Sequence, residues 1–249
     1  MRNNEISTGV ILAGGMGTRL RPAFPDVAKP VAPVSGRPFL QRLLEQVARA
    51  GVGRIILCTG YRSQDVEAAA GQAHRGVPIV YSVEERPLGT GGALKRAHAR
   101  FGDGRSWIVM NGDSYCGIDL AELSAEHLAA GLDATIAVVE VGDAGRFGSV
   151  EISPDRRVTR FLEKQRPGAG PGWVNAGVYA LSERFLAALP AAAPLSLEVR
   201  VFPEWIPRGI HAFARPARFI DIGTPESYAL AQQFFEGTGG ASSTTEPYF

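Results

Sequence analysis

The sequence predicts an α/β fold, a mainly parallel mixed sheet flanked by helices, on two observations. Through the first half of the chain, short apolar runs that read as buried strands alternate with longer segments of helical spacing. The first of those runs, Gly9-Val10-Ile11-Leu12, leads directly into Ala13-Gly14-Gly15-Met16-Gly17. A glycine loop closing a buried strand is the Rossmann-like way to open a doubly wound sheet.

The elements follow in order. Residues 9–12, 55–59, 79–83 and 106–111 are expected as strands. Residues 39–50 are expected as a helix, because Leu40, Leu43, Leu44, Val47 and Ala48 share one face. Residues 63–73, 91–101 and 119–130 show comparable helical signals. Repeated strand, helix, strand units imply right-handed crossovers and a site at the carboxyl ends of the strands. The glycine loop, the turn Pro87-Leu88-Gly89-Thr90 and Asn111-Gly112-Asp113 all follow strands and should meet on that rim. Beyond a strand-rich stretch at 133–141, residues 147–153, 158–163 and 173–181 read as strands joined by glycine- and proline-rich turns. They predict a small β-rich subregion over one end of the sheet. Helical signals return at 183–189, 198–206 and 225–235. A chain of 249 residues accommodates one large domain, expected over residues 1–237, and the small polar run 238–249 is expected as a disordered tail.

Composition narrows the partners. The formal net charge is +1, with no basic stripe, so nucleic acid and membrane surfaces are poor candidates. No apolar stretch approaches the ~20 residues that span a bilayer and no signal peptide is visible, which predicts a cytoplasmic protein. Cys58 and Cys116 lie in apolar runs without metal spacing and are expected as core packing. His74, His98, His127 and His211 are expected on element surfaces, outside the chemistry.

The glycine loop is the most informative feature. Its small residues allow a tight turn that presents bare N–H groups to an anion, and Arg19 and Lys29 add positive charge on either side. Such a loop suits polyphosphate. Asp113 closes a buried strand, where an ionised carboxylate needs a cation beside it. Asn175 sits in an apolar strand and must find partners, a sugar hydroxyl or a neighbouring backbone group.

Six motifs in order, LAGGMGTRLRP with Lys29-Pro30, PLGTGGAL at 87–94, Asn111-Gly112-Asp113, Phe161-Leu162-Glu163-Lys164, Asn175-Ala176-Gly177 and Asp221-Ile222-Gly223-Thr224, resemble those of the sugar-1-phosphate nucleotidylyltransferases over nearly the whole chain. The resemblance implies a GT-A-like nucleotidyltransferase fold whose β-rich subregion binds the sugar. It implies that a sugar 1-phosphate attacks the α-phosphorus of a nucleoside triphosphate and pyrophosphate leaves, with Arg19, Lys29 and Lys164 as the catalytic cations. Nucleotide binding is implied for Leu12, Ala13, Gly14, Gly15, Gly17, Thr18, Glu84, Pro87, Gly89, Thr90, Gly92, Asn111 and Gly112. Sugar contacts are implied for Glu163, Asn175, Gly177 and Glu198, and Mg²⁺ ligation for Asp113 and Asp221. Each aspartate has a second reading as a turn or helix cap. Gly91 and Gly92 are expected to let the backbone approach the base or ribose. Glu84, accepting from guanine N1–H and N2–H, makes a guanine nucleotide the preferred donor. Glu85 is the competing carboxylate. The acceptor expected first is a D-glycero-α-D-manno-heptose 1-phosphate, with mannose 1-phosphate next, and a homodimer is possible. Arg200 stands where the family pattern has an acidic residue, which weakens the sugar-contact reading of 196–203.

Other classes fit less well. A dinucleotide oxidoreductase needs a third glycine where Leu20 stands, and no GxxxxGK[ST] is present for a P-loop kinase. A catalytically silent nucleotide-sugar sensor has no need of the full charge set.

Overall fold

The computed structural model describes residues 6–18, 20, 27–162, 168 and 170–236. Arg19, Glu163, Lys164 and the expected tail lie outside them. The strands are β1 (Ile6–Leu12), β2 (Pro33–Val34), β3 (Arg37–Pro38), β4 (Arg54–Thr59), β5 (Ala73–His74), β6 (Val77–Val83), β7 (Ser106–Asn111), β8 (Ser114–Cys116), β9 (Ala134–Val141), β10 (Ser149–Ile152), β11 (Val158–Leu162), β12 (Gly172–Leu181), β13 (His211–Ala214) and β14 (Phe219–Asp221). The helices are α1 (Phe39–Arg49), α2 (Ser63–Ala70), α3 (Gly89–Phe101), α4 (Leu120–Ala130), α5 (Glu183–Ala187), α6 (Phe202–Trp205) and α7 (Pro225–Glu236).

The four expected strands pair in parallel in the order β7-β1-β4-β6. β12 then runs antiparallel against β7, with β9 on its other edge and β13 beyond, so the sheet is mixed as expected. The β10–β11 hairpin joins the first part of β12, where Ser149 pairs with Val174, while β7 pairs with Val178–Leu181. The β-rich subregion is thus a continuation of the main sheet rather than a separate layer.

Strand side chains alternate between faces, and the buried residues sort accordingly into two cores. Ile11, Ile55, Leu57, Ile108, Met110 and Val178 face α1, α2, α4 and α7; Val10, Ile56, Trp107, Val109 and Tyr179 face α3, α5 and α6. Central strands buried on both faces explain why they read as unbroken apolar runs. At Gly9 the fit is closest: a Cβ there would lie 2.3 Å from Cγ1 of Val47, so glycine lets α1 settle directly on β1.

Several expectations are corrected. The helix expected over 63–73 stops at Ala70, where Gly71 turns at φ 71°, and Ala73–His74 pair with β6 instead. The segment expected as a helix over 198–206 is a π-helical turn, Leu197–Val201, followed by α6 and a 3₁₀ turn at Ile206–Arg208. β8, β13 and β14 are too short to show a sequence period. His127 is buried rather than on a surface; its Nδ1 lies 2.9 Å from Thr135 Oγ1, and burial pushes its pKa down to about 4. Cys58 and Cys116 are buried, as expected, and burial raises both thiols to about 12, which leaves them inert.

The Gly9 contact makes a stability prediction. Gly9→Ala should destabilise by about 1–3 kcal/mol in denaturant titrations, the usual range for overpacking, and Val47→Ala in the same chain should recover part of the loss.

Candidate active site

β1 and β7 are parallel neighbours whose connections leave in opposite directions. β1 proceeds through α1 to β4, whereas β7 is reached from the far strand β6 through α3. The segments that leave their carboxyl ends therefore part over a crevice, the topological switch point of a doubly wound sheet. Backbone bonds hold its floor. Ala13 N–H donates to the Cys58 carbonyl at 2.7 Å and Gly112 N–H to the Leu12 carbonyl at 2.9 Å. A Cβ on Gly112 would lie 2.6 Å from that same carbonyl oxygen, so only glycine lets the two strand ends come this close.

The crevice opens into a cleft of about 340 Å³. Leu12, Ala13, Gly14, Gly15, Gly17, Thr18, Lys29, Glu84, Pro87, Gly89, Thr90, Asn111, Gly112 and Asp113 all line it, together with Met16, Pro30, Ala93 and Gly223. Gly15 has open space in front of it, as a loop presenting backbone to a ligand requires. Gly17 adopts φ 60° and packs on Lys29, whose Cβ lies 3.1 Å from where its own Cβ would be.

Lys29 begins a 3₁₀ turn, and its Nζ donates to Asp113 Oδ2 at 2.6 Å. The lysine side chain is 10% exposed and the aspartate 41%, so the carboxylate has its cation and still faces the cleft. Asp113 Oδ1 also accepts from Ser114 Oγ at 3.1 Å. β8 and β14 pair so that Asp221 lies opposite Ser114, and Ile222 N–H donates to the Asp113 carbonyl at 2.9 Å. The two expected metal ligands, Asp113 in the turn before β8 and Asp221 at the end of β14, are thereby brought to the same end of this strand pair. Asp221 Oδ1 accepts from Gly223 N–H at 2.9 Å, an Asx turn, and its Oδ2 has no partner among the described residues. Asp221 does not cap α7; Thr224 does, its Oγ1 accepting from Ser227 N–H at 3.2 Å. Among the described residues no three His, Cys, Asp or Glu side chains gather as a metal cluster.

Glu84 stands on the opposite wall, against the glycine loop. A Cβ on Gly14 would lie 2.8 Å from its Oε1, and its Oε2 accepts from Leu88 N–H at 3.2 Å. Desolvation raises its pKa, against the Leu88 N–H and the charge of Arg96. Glu85 is exposed, so Glu84 is the carboxylate of this pair that the fold turns inward.

Other expected site residues lie beside the cleft rather than in it. Gly92 is buried, with its absent Cβ filled by Leu88, and Gly91 N–H donates to the Leu195 carbonyl at 2.8 Å. These two glycines, expected to admit a base or ribose, receive the 192–195 segment. The Asn175 amide is spent internally: Gly177 N–H donates to its Oδ1 at 2.9 Å, and its Nδ2 donates to Tyr179 Oη at 3.0 Å. It stabilises a bulge in β12 at which Gly177 adopts φ 71° and packs on Asn111. Glu198 is likewise bonded within the protein, to Thr90, Ser196, Asn111 and Tyr179. Arg200 pairs with Glu204 at 3.1 Å on the exposed side of the π turn.

A doubly wound sheet with a glycine loop, a lysine and a carboxylate at its switch point defines a nucleotide-binding α/β protein. The nucleotidyl transferase family model matches residues 8–237, and the chain belongs to that family. It is 33% identical over 225 residues to a D-glycero-alpha-D-manno-heptose 1-phosphate guanylyltransferase from Aneurinibacillus thermoaerophilus, covering 90% of this chain and 96% of the relative. It is 37% identical over 223 residues to the mannose-1-phosphate guanylyltransferase of Mycobacterium tuberculosis, covering 88% of this chain but 62% of that longer protein. The crystal structure of HddC from Yersinia pseudotuberculosis superposes with a TM-score of 0.81 at 37% identity, over 92% of this chain and all of that one. The same protein has been crystallised complexed with GMP-PN.

The inward carboxylate makes a prediction about stability. The folded pKa of Glu84 is raised, so its contribution is most favourable below the unfolded pKa and is lost as pH rises through the folded one. Glu84→Gln should therefore melt at or above the wild-type temperature at pH 7–8. The difference should vanish below about pH 4, the range of an ordinary Glu pKa.

Proposed function

We propose that the protein transfers GMP from GTP to a sugar 1-phosphate, releasing pyrophosphate, with a D-glycero-α-D-manno-heptose 1-phosphate as the leading acceptor. The observation that carries this reading is the convergence of the glycine loop, Lys29 and Asp113 on one cleft, in a chain similar over 90% of its length to a heptose 1-phosphate guanylyltransferase. The likeness to a mannose-1-phosphate guanylyltransferase keeps mannose 1-phosphate as the second acceptor.

In this reading an oxygen of the sugar phosphate attacks the α-phosphorus, the new P–O bond forms as the bond to the β-phosphate oxygen breaks, and pyrophosphate departs in line. The chain supplies position and charge rather than a nucleophile. Backbone N–H groups of the loop around Gly15 hold the triphosphate, and Lys29 reaches the α-phosphate from its place beside Asp113. Arg19 on the leaving phosphates, Glu163 on the sugar and Lys164 on its phosphate rest on the family resemblance. In this reading Glu84 accepts the paired N–H donors of guanine, and its nearness to Gly14 supports a base wall beside the loop.

A divalent cation, Mg²⁺ in this proposal, fits Asp113 and Asp221, hard oxygen donors at one end of the β8–β14 pair, one exposed to the cleft and one with a spare oxygen. Bound there, it would neutralise charge on the phosphates. We read residues 1–237 as one domain of a cytoplasmic enzyme, with homodimerisation as a further expectation. No described helix is long and apolar enough to cross a membrane.

Purified protein with Mg²⁺ should release pyrophosphate from GTP in preference to ATP, CTP and UTP when offered a panel of heptose and hexose 1-phosphates. Release from no pair in that panel would sink the proposal. Asp113→Asn should lower kcat by about 10²-fold or more with little change in melting temperature, since it removes an anionic ligand; an unchanged kcat would reduce Asp113 to a turn residue. Glu84→Gln should erode the preference for GTP over the other triphosphates, measured as the ratio of kcat/KM values.

A further inference from the structure

Glu198 was expected to touch the sugar, yet its carboxylate is occupied by the protein itself. Oε2 accepts from Thr90 Oγ1 at 2.8 Å and from Ser196 Oγ at 2.9 Å. Oε1 accepts from Tyr179 Oη at 3.2 Å and from Asn111 Nδ2 at 3.3 Å. Two donors on each oxygen leave little of the acceptor capacity for a ligand. The donors come from the first turn of α3, the carboxyl end of β7, the carboxyl-terminal part of β12 and the cap of the π turn, so one side chain ties four elements together. Asn175 extends the chain by donating to Tyr179 Oη.

The consequence falls on the cleft. Thr90 and Asn111 both line it, and Glu198 does not. The Thr90 hydroxyl spends its proton on Glu198 and accepts from Leu197 N–H at 2.8 Å, which fixes its rotamer from both sides. The Asn111 amide is held with Nδ2 toward Glu198, and its Oδ1 is buried with no hydrogen-bond partner in the protein. π-helical turns recur at functional sites, and Glu198 lies in the first turn of one.

We infer that Glu198 is a positioning residue of the nucleotide wall, acting through Thr90 and Asn111, and not a ligand of the sugar. The inference rests on the guanylyltransferase reading above. Glu198→Gln keeps the size but replaces one acceptor oxygen with a donor, so two of the four bonds are lost.

The test measures GTP binding by calorimetry with Mg²⁺ and no acceptor, then KM for GTP and for the sugar 1-phosphate separately. Glu198→Gln should weaken GTP binding at least about tenfold and raise its KM in parallel, with the KM for the sugar phosphate within about twofold of wild type. Thr90→Val should act in the same direction, and the double variant should fall well short of the summed effects, since both changes break one network. Arg200→Ala, two residues away on the exposed side, serves as the unaffected control. A selective rise in the KM for the sugar phosphate, with GTP binding intact, overturns the inference and restores the sugar contact. A fall in melting temperature with both constants unchanged overturns it as well, leaving only a structural role. Wild-type protein that binds no triphosphate overturns the guanylyltransferase reading and this inference with it, whereas tight wild-type binding unaltered in Glu198→Gln overturns the inference alone.

Discussion

The rest of the site depends on how closely β1 and β7 can approach at their carboxyl ends. The single bond from Gly112 N–H to the Leu12 carbonyl sets that distance, and a side chain at residue 112 would collide with the carbonyl it bonds. With the strand ends joined there, the glycine loop turns away on one side and Asp113 on the other, and the space between them becomes the cleft. Lys29 then spans it from a separate turn and meets Asp113. The loop and the turn that carries Asp113 are thus positioned by backbone geometry, while the Lys29 side chain is held by its ion pair.

Much of this was legible because parallel strands buried on both faces leave a strong signal. The strand over residues 106–111 has the bounds expected of it, and the helix expected over 39–50 ends one residue early. The cleft residues were legible for a related reason. Glycine loops and strand-end carboxylates are local features, and the residues they involve sit within a few positions of each other in sequence. What the sequence concealed is long-range and side chain to side chain. Thr90 and Glu198 are 108 positions apart, as are their opposing roles in pattern: one lies in a glycine-rich turn, the other in a segment of apparent helical period. Asn175 carried both of its possible readings until Gly177 and Tyr179 were seen to take its two ends. Short strands such as β8 and β14 failed for a simpler reason, having no more than a residue or two on either face.

Electrostatics divides the cleft into unlike walls. On the Lys29 side a lysine that is almost fully enclosed is paired with a carboxylate that is more exposed, so the ion pair is asymmetric in its access to solvent. On the Glu84 side a carboxylate is drawn from water with one backbone donor to compensate, and its pKa rises accordingly. Enclosed, under-compensated charge is a cost to folding and an asset to recognition, the trade that binding sites commonly make. The glycine loop lies between the two walls and carries no charge of its own within residues 13–17, contributing dipoles alone.

The bulge at Asn175–Gly177 makes one strand serve two clients. Before it, β12 carries the β10–β11 hairpin; after it, the same strand completes the nucleotide sheet beside β7. Because the ladder is interrupted between them, the hairpin is attached to the sheet's margin by little backbone pairing of its own. It can lengthen, tilt or change sequence without transmitting a register error to β7 and the cleft. The chain thus has a seam, along which the hairpin can vary while the register of the strands beneath the cleft is kept.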